Sequence, residues 1–508
     1  MKEIKKDSAK NRGEKAKRAH SEVATVLPEK TSEKRKKEPK RRPVLVITII
    51  LVVVVAVAII FGGANGTGRS TLSNNINDTG VNWDRYDTTA ITLSGTGKTL
   101  ITQAGVYTVT GTLSDGYIEI NSLGAVKLIL DGVIITNNSG PAIYVAGAEM
   151  VTIELAGGSN NTLTDATIYR GWDEDVCGVL FSHDDLVLQG DGELTIEANY
   201  EDGIVGKDDL KINSGIYNID AKDEGIRGRD SIYIVDGTFE ITSGGDALKS
   251  NNSDEVGKGW VKIDGGSITA SADDDGVHAE SSLEINGGTI QINKSYEGIE
   301  AAKVTINDGE ISITASDDGI NAAGGNDGSS PNMGRYQQSS NNYSISINGG
   351  RLYVNSAGDG IDSNGAVYVN GGTVIVDGPT NSGNGALDSE TGVIFNGGSV
   401  VAIGASGMAV APDKSSAKYS ISVFFASTYS AGTVLEVYDD HGNVILKHTS
   451  LKSFQHASLS SDAFEEGETY YVYVDDVRYT TVTLSEKTTQ VGQGNRMMPG
   501  GRGQEWRF

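Results

Sequence analysis

The sequence predicts an all-β protein: a right-handed parallel β-helix, preceded by one transmembrane helix and followed by a small C-terminal β domain. A unit of 21 or 22 residues repeats through the central part of the chain. Within each unit, short strands alternate apolar and polar residues, and no helical period appears. A unit of this size cannot bury its apolar face alone, whereas stacked coils bury it between neighbours.

Two glycine turns mark the repeat. The first is an acid-Gly-apolar turn, in which Ala247 once replaces the glycine; its glycines are Gly203, Gly225, Gly276, Gly298, Gly319 and Gly360. The glycines of the second turn are Gly215, Gly237, Gly266, Gly288, Gly309, Gly350, Gly372 and Gly398. Longer gaps contain two inserts, Asn251–Trp260 and Ala323–Tyr343. Leucine-rich repeats need a Leu/Asn signature that is absent here, and a β-propeller needs about 40 residues per blade.

The head of the chain is basic, and an apolar run follows it. Residues 1–42 contain 16 Lys/Arg and 7 Asp/Glu, and residues 44–61 are apolar except for Thr48. Eighteen residues in a helix cover roughly 27 Å, close to the hydrocarbon thickness of a bilayer. The flanking positive charge predicts a cytoplasmic segment at 1–42, a transmembrane signal anchor at 43–62 and an extracellular body. A cleaved signal peptide is the alternative, but its apolar region is shorter and its basic region is brief.

The rest of the chain divides by pattern. Residues 63–89 are polar and predict a linker, and residues 90–410 contain the repeats of the parallel β-helix. Residues 411–485 alternate over longer strands and predict a small β domain that caps the last coil, whose open sheet edge needs covering. Residues 486–508 are rich in Gly and Arg and predict a disordered tail.

Charge restricts the class of partner. Beyond position 42 the chain has 26 basic and 60 acidic residues. This balance argues against nucleic acid, whose phosphates require Lys and Arg, and favours divalent cations or anionic ligands reached through them. Cys177 is the only cysteine, so no intrachain disulfide forms, and we interpret it as a small buried apolar residue.

The acid-Gly turns predict a column of carboxylates, because equivalent positions of successive coils stack about 4.8 Å apart. One such pair repels by roughly 3 kcal/mol at an effective dielectric constant near 20, and bound Ca²⁺ removes that cost. The alternative interpretation is that the carboxylates accept hydrogen bonds from turn amides and face water. The predicted Ca²⁺ ligands are Asp202, Asp223, Glu224, Asp246, Asp273, Asp274, Asp275, Glu297, Glu300, Asp317, Asp318, Asp359 and Asp362. Asp273–Asp275 with Glu297, and Asp317 and Asp318 with Glu300, form the preferred clusters.

A second column is expected two positions after each turn glycine. It changes from basic through His278 to acidic, in the order Val205, Arg227, Lys249, His278, Glu300, Asn321 and Asp362. Lys249 or Arg227 beside bound Ca²⁺ could remove the proton next to a uronate carboxylate. The alternative, which we favour, is that both are structural and form salt bridges with Asp246, Asp223 or Glu224.

Aromatic residues on the outer surface could stack on sugar rings. The alternation points Tyr233, Tyr353 and Tyr368 outward, and Trp260, Tyr336 and Tyr343 lie in or beside the inserts. Single exposed tyrosines are common, so each residue is a weak indicator by itself.

The repeated turns also resemble a known family. The segments GVLFSHDDLVLQGDGELTI (178–196), EDGIVGKDDLKINSG (201–215), DEGIRGRDSIYIVDG (223–237) and DDGVHAESSLEINGGTI (274–290) resemble bacterial secreted carbohydrate-binding β-helix proteins, which are similar in fold to calcium-dependent pectate lyases. The resemblance extends from about residue 90 to about residue 485. It implies that residues 90–410 are a carbohydrate-binding domain that binds Ca²⁺, cellulose and pectin of the polygalacturonate type.

The sequence thus predicts a cell-surface protein that binds acidic polysaccharide in a calcium-dependent way, without catalysis. Two alternatives stay open: a calcium-dependent pectate lyase acting by β-elimination, and a surface adhesin or structural spacer. The sequence does not define the oligomeric state.

Overall fold

A computed structural model describes residues 81–323 and 342–493 of the protein. These residues form short β-strands joined by turns and irregular connections, with a 3₁₀ turn at Trp83–Arg85, and contain no α-helix. The strands make one sheet of 35 strands and a second sheet of four. The prediction of an all-β protein is confirmed.

Most strands are short, as the repeat predicted. In chain order the first fourteen are β1 (Thr88–Leu93), β2 (Thr96–Ile101), β3 (Gly105–Leu113), β4 (Asp115–Asn121), β5 (Val126–Thr136), β6 (Ile143–Gly147), β7 (Val151–Leu155), β8 (Asn160–Thr164), β9 (Gly178–Ser182), β10 (Leu186–Gly190), β11 (Glu193–Ala198), β12 (Asp202–Gly206), β13 (Asp209–Ile212) and β14 (Ile216–Ala221). The next eighteen are β15 (Ile226–Gly228), β16 (Ser231–Ile234), β17 (Thr238–Ser243), β18 (Leu248–Ser250), β19 (Trp260–Ile263), β20 (Ser267–Ala272), β21 (Val277–Ile285), β22 (Thr289–Ser295), β23 (Ile299–Ile306), β24 (Glu310–Ala315), β25 (Ile320–Ala322), β26 (Ser344–Ile347), β27 (Arg351–Ser356), β28 (Ile361–Ser363), β29 (Ala366–Val369), β30 (Thr373–Asp377), β31 (Gly392–Phe395) and β32 (Ser399–Gly404).

These strands pair in three parallel ladders, in each of which a strand joins its equivalent in the next repeat. Ladder A contains β12, β15, β18, the first part of β21, the first part of β23, β25 and β28. Ladder B contains β13, β16, β19, the second parts of β21 and β23, β26, β29 and β31. Ladder C contains β11, β14, β17, β20, β22, β24, β27, β30 and β32.

Alternation along each strand builds the core. In β17 the residues are exposed and buried in turn, and Phe239, Ile241 and Ser243 face inward. One continuous apolar core extends from Leu93 to Ala402. Burying each Leu, Ile or Val side chain contributes about 1.5–3 kcal/mol, so the stacked rows stabilise neighbouring coils together.

Glycine is required where one coil touches the next. A Cβ atom on Gly319 would lie 2.2 Å from Val354 Cγ1 and 2.5 Å from the carbonyl oxygen of Gly360. At the second turn, Gly237 has φ 137°, a left-handed conformation that side chains rarely adopt. The glycines of the acid-Gly turns therefore allow neighbouring coils to approach closely. The glycines of the second turn allow a backbone conformation that other residues rarely adopt.

Seven further strands follow the last coil: β33 (Ser420–Tyr429), β34 (Val434–Tyr438), β35 (Val444–Thr449), β36 (Phe454–Ser460), β37 (Thr469–Val474), β38 (Val477–Thr483) and β39 (Thr488–Val491). Strand β36 pairs antiparallel with both β32 and β33, and so covers the end of ladder C. Strands β35, β34, β37 and β38 form the separate antiparallel sheet. All the described residues belong to the same compact unit.

Two expectations need correction. The predicted single-pass membrane localisation is contradicted: among residues 81–323 and 342–493, no helix is long and apolar enough to cross a membrane. The predicted cytoplasmic segment at 1–42 and the predicted anchor at 43–62 lie outside the described residues. The tail predicted to be disordered from residue 486 contains β39, because the parallel pairing with β33 satisfies its backbone groups.

Candidate functional site

The acid-Gly turns lie one above the other along the start of ladder A. The amide of Gly203 donates to the carbonyl oxygen of Glu224, and that of Gly225 donates to Asp246. The same bond recurs from Ala247, Gly276, Gly298 and Gly319 to the acids Asp275, Glu297, Asp318 and Asp359. The acids that the repeat predicted to align, Asp202, Glu224, Asp246, Asp275, Glu297, Asp318 and Asp359, are therefore neighbours from coil to coil; we call them the acid column.

Several acids of this column use one carboxylate oxygen to hold the next coil. Asp246 Oδ1 accepts the amide of Asp275 at 2.8 Å, and Asp275 Oδ1 accepts the amide of Glu297 at 3.1 Å. Asp318 Oδ1 likewise accepts the amide of Asp359 at 2.6 Å. The second oxygen of each carboxylate is left for other partners, which differ from one end of the column to the other.

The strands of ladder A place the second column beside the acids. Register pairs Val205 with Arg227, Arg227 with Lys249 and Lys249 with His278. It then pairs His278 with Glu300, Glu300 with Asn321 and Asn321 with Asp362. The predicted order, which changes from basic through His278 to acidic, is thus one continuous row, which we call the second column.

Side-chain cations fill the first part of this row. Arg227 lies 2.6 Å from Asp202, and Lys249 lies 2.8 Å from both Glu224 and Asp246. Burial alone would lower the pKa of Lys249, but Asp246 and Glu224 raise it above its ordinary value. Lys249 therefore keeps its proton, which suits a counter-ion and not a general base.

His278 marks the transition between the two ends. Its Nδ1 lies 3.2 Å from Asp275 and 2.9 Å from Glu300. Burial lowers the pKa of His278, but hydrogen bonds to these two carboxylates raise it to about 10. In the next coil Asn321 donates to both carboxylate oxygens of Glu297 at 3.0 Å.

The far end of the column has three acids close together. Ligand atoms of Asp318, Asp359 and Asp362 lie within 4.8 Å of one another, and no Lys, Arg or His pairs with them among the described residues. Burial raises the pKa of Asp318 to about 7, of Asp359 to about 8 and of Asp362 to about 6, and neighbouring acids add to each shift. Three carboxylates at this spacing are repulsive unless a proton or a metal neutralises them.

Two buried oxygens between these ends also have no hydrogen-bond partner in the part of the chain that the structure describes. Glu300 Oε1 and Asn321 Oδ1 are acceptors only, and their residues are 3% and 6% exposed. A buried acceptor without a donor is costly. Oxygen-only donor sets of this kind fit Ca²⁺, which binds carboxylate and amide oxygens.

A cavity of about 270 Å³ opens beside the middle of the second column. Lys249, His278 and Glu300 line it together with acids of the column, and Tyr296 supplies an aromatic wall. Carboxylates, two cations and an aromatic ring therefore meet in one concave surface.

The other predicted metal ligands lie in different settings. Asp223 and Asp274 are exposed, yet each groups with two acids of the column. Asp273 is exposed and forms an ion pair with Lys294. Asp317 is half-buried next to Asp318. The structure groups Glu300 with Asp275 and His278, whereas Asp318 groups with Asp359 and Asp362. Metal binding by any of these residues stays a prediction.

The predicted aromatic residues that the structure describes do not form one platform. Tyr233 and Tyr368 lie in ladder B and Tyr353 lies in ladder C. The Tyr233 hydroxyl donates to Asp264, and the Tyr353 hydroxyl donates to the buried Asp377 at 2.8 Å. The remaining three are Trp260, at the start of β19, Tyr343, which is half-buried, and Tyr336, which lies outside the described residues.

Two aromatic groups beside ladder A escaped the sequence analysis. Tyr296 takes the place that Asp223, Asp274 and Asp317 occupy before the acid of their turns, so an alignment of the repeats could have found it. In earlier coils the second column continues through Tyr144 and Phe181. The ring of Trp172, from the connection between β8 and β9, lies 5.0 Å from that of Tyr144. No repeat pattern indicates this contact, because Trp172 belongs to an irregular connection.

The fold and the site define an all-β protein with a long repetitive face of carboxylates, cations and aromatic rings, a class suited to extended polar ligands. Residues 96–333 match the model of a family described as "Carbohydrate-binding domain-containing protein".

One relative and one solved structure are similar to parts of the chain. A carbohydrate-binding domain-containing protein of Acetivibrio thermocellus is 42% identical over 126 residues, which is 24% of this chain and 44% of the relative. The chain thus spans less than half the length of that relative. A polysaccharide lyase-like protein from C. thermocellum, solved as a gadolinium derivative, is 35% identical over 43% of this chain and 85% of its own, with a TM-score of 0.38.

Proposed function

We propose that the protein binds acidic polysaccharide through Ca²⁺ held along ladder A. In this proposal the three ladders are the faces of a right-handed parallel β-helix, and the glycan lies along the second column. The observation that carries the proposal is the row of acids whose far end, at the half-buried Asp318, Asp359 and Asp362, has no side-chain cation among the described residues.

Charge explains why a metal is needed. The chain beyond residue 42 contains 60 acidic and 26 basic residues, so it repels a uronate polymer unless cations lie between them. Ca²⁺ bound to the acids of the column would retain open coordination positions for glycan carboxylates, since it takes six to eight oxygens. Lys249 and His278, which line the cavity, would pair with uronates directly.

The residues do not favour the lyase alternative. A base that removes a proton must be neutral, but Lys249 lies between two carboxylates that raise its pKa. Arg227 is paired with Asp202 and its pKa is raised as well, since the nearby acids outweigh the effect of burial.

The test uses the full chain with polygalacturonate, in Ca²⁺ and in a chelator. In a triple variant, Asp318→Asn, Asp359→Asn and Asp362→Asn, each side chain keeps an oxygen that can accept a hydrogen bond from a backbone amide but loses its charge. We expect Ca²⁺ titration calorimetry to show binding to the wild type, at least about tenfold weaker binding to the triple variant, and glycan binding that falls in parallel. Asp308→Asn, at an exposed acid that bonds only its own turn, is the control.

Two results would contradict this function. Glycan binding that is equal in Ca²⁺ and in chelator would remove the metal from the proposal. Release of unsaturated product that Lys249→Ala abolishes would instead support the lyase.

A further inference from the structure

The four-stranded sheet has an outer face that the core does not use. Along β37, Tyr470, Val472 and Val474 are buried in the apolar core of this part of the chain, whereas Tyr471 and Tyr473 alternate with them and are half-buried. On the neighbouring strand β34, Tyr438 pairs in register with Tyr471. The outer face of β34 and β37 therefore carries three tyrosines side by side.

These rings form a concave surface with a volume of about 440 Å³. The rings of Tyr438 and Tyr473 lie 5.1 Å apart at an interplanar angle of 70°. The guanidinium of Arg478, on β38, lies 5.7 Å from the ring centre of Tyr471. We call Tyr438, Tyr471, Tyr473 and Arg478 the tyrosine face.

Carboxylates surround the tyrosine face. Glu436 is 4% exposed and bonds Lys447 at 2.7 Å, and Asp439 accepts the amides of its own turn. Asp440 and Asp476 are exposed on the rim of the concavity. The lining thus offers several oxygen acceptors, one guanidinium donor and an apolar floor.

We propose that the tyrosine face is a second glycan-binding site, which takes an uncharged pyranose unit and needs no Ca²⁺. The C–H face of a sugar ring would cover the tyrosine rings, its hydroxyl groups would donate to the carboxylates, and Arg478 would donate to a ring or hydroxyl oxygen. The site lies beyond residue 333, where the match to the carbohydrate-binding family ends.

Charge selects the occupant. Four acids and one arginine line the concavity, so a uronate carboxylate would meet net negative charge. A lysine side chain of a protein partner would satisfy the acids, but it has no oxygen to accept from Arg478. An uncharged sugar matches both the acceptors and the donor.

The test titrates the full chain, in chelator, with neutral oligosaccharides of β-linked glucose, of mannose and of xylose. We expect at least one to bind, and Tyr473→Ala and Tyr438→Ala each to weaken binding about tenfold, since a lost aromatic contact of this size costs about 1.4 kcal/mol. Tyr473→Phe keeps the ring and should bind as the wild type does. Tyr419→Ala removes another tyrosine of the same part of the chain and should have no effect. Thermal unfolding verifies that each variant is folded.

The proposal fails if none of the neutral oligosaccharides binds, or if neither alanine variant changes the binding. Tighter binding of a glucosamine oligomer than of every neutral one would also overturn it, because the face would then be a cation site. The triple variant at Asp318, Asp359 and Asp362 should bind neutral oligosaccharide normally, which separates this site from the calcium-dependent one.

Discussion

Lys249 shows how a single side-chain cation can pair with two buried carboxylates. Its ammonium group lies between Glu224 and Asp246, two carboxylates that are 5% and 1% exposed. Without a cation, both charges would be buried and unpaired. Further along the second column, beyond His278, Glu300 Oε1 and Asn321 Oδ1 are buried acceptors that have no hydrogen-bond partner among the described residues. The residue type at each rung therefore decides whether a side-chain cation neutralises the neighbouring carboxylates.

We expect Lys249→Met to reduce the free energy of unfolding by about 3–5 kcal/mol, because it leaves a buried ion pair without its cation. Ca²⁺ should restore part of this loss by occupying the space between Glu224 and Asp246. Chemical denaturation with and without Ca²⁺ measures both effects.

The matched control is Lys294→Met. Lys294 pairs with Asp273, but the two side chains are 66% and 64% exposed. We expect a change below about 1 kcal/mol, as for other surface pairs. Equal losses from the two substitutions would show that the column does not depend on internal cations.

His456 is a second buried titratable group, in β36. Its Nε2 lies 2.9 Å from Ser422 Oγ, and burial lowers the pKa of His456 from 6.5 to about 3. As the pH falls below about 6.5, the unfolded chain gains this proton and the folded chain does not. Stability is therefore lost between about pH 6.5 and pH 3, by about 1.4 kcal/mol per pH unit.

We expect His456→Gln to flatten the stability profile over this range, measured by denaturation at several pH values. His441→Gln is the control, because the His441 side chain is 79% exposed. Parallel profiles for wild type and His456→Gln would show that this histidine does not contribute to acid unfolding.

The repeating elements depend on glycine at the contact between coils. Gly319→Ala would place a Cβ atom 2.5 Å from a backbone oxygen, which cannot move aside as a flexible side chain can. We expect a loss of about 1–3 kcal/mol in stability, measured by denaturation. The natural alanine at position 247 indicates that a coil can adjust at some cost. Gly157→Ala, which meets nothing within 4 Å, should be neutral, and an equal loss there would point to a general effect of the substitution.

Among the secondary-structure elements and their connections, the periodic ones were predictable from the sequence and the irregular ones were not. The strands of the repeats follow the alternation of apolar and polar residues, because each inward residue contacts its equivalents above and below. Strand β39 and the position of Trp172 follow no period. Both depend on partners far along the chain, β33 for the strand and Tyr144 for the ring.

At the scale of the whole molecule, the strands that follow the repeats must cover the end of ladder C. Strand β32 has the parallel strand β30 on one side and the antiparallel strand β36 on the other. Val401 and Ile403 of β32 belong to the apolar core that β36 completes. Removing the following strands would expose an open strand edge together with apolar residues.

We expect a chain that ends at residue 410 to associate in solution. A chain that ends at residue 493 should have the same oligomeric state as the full chain. Light scattering after size exclusion compares the two. A shortened chain that has the same state as the full chain would show that β36 is not needed to cover this edge.

The spacing of glycines and acids in the sequence was sufficient to predict an all-β chain, its repeat and the two columns, because a stack of equal coils turns sequence spacing directly into spatial neighbourhood. Tertiary structure alone shows which carboxylates share a cation, that Tyr233 and Tyr353 lie on separate ladders, and that three tyrosines of β34 and β37 form a concave face. These features depend on side-chain pairing between coils and on antiparallel contacts outside the repeat, and neither has a fixed period in the sequence.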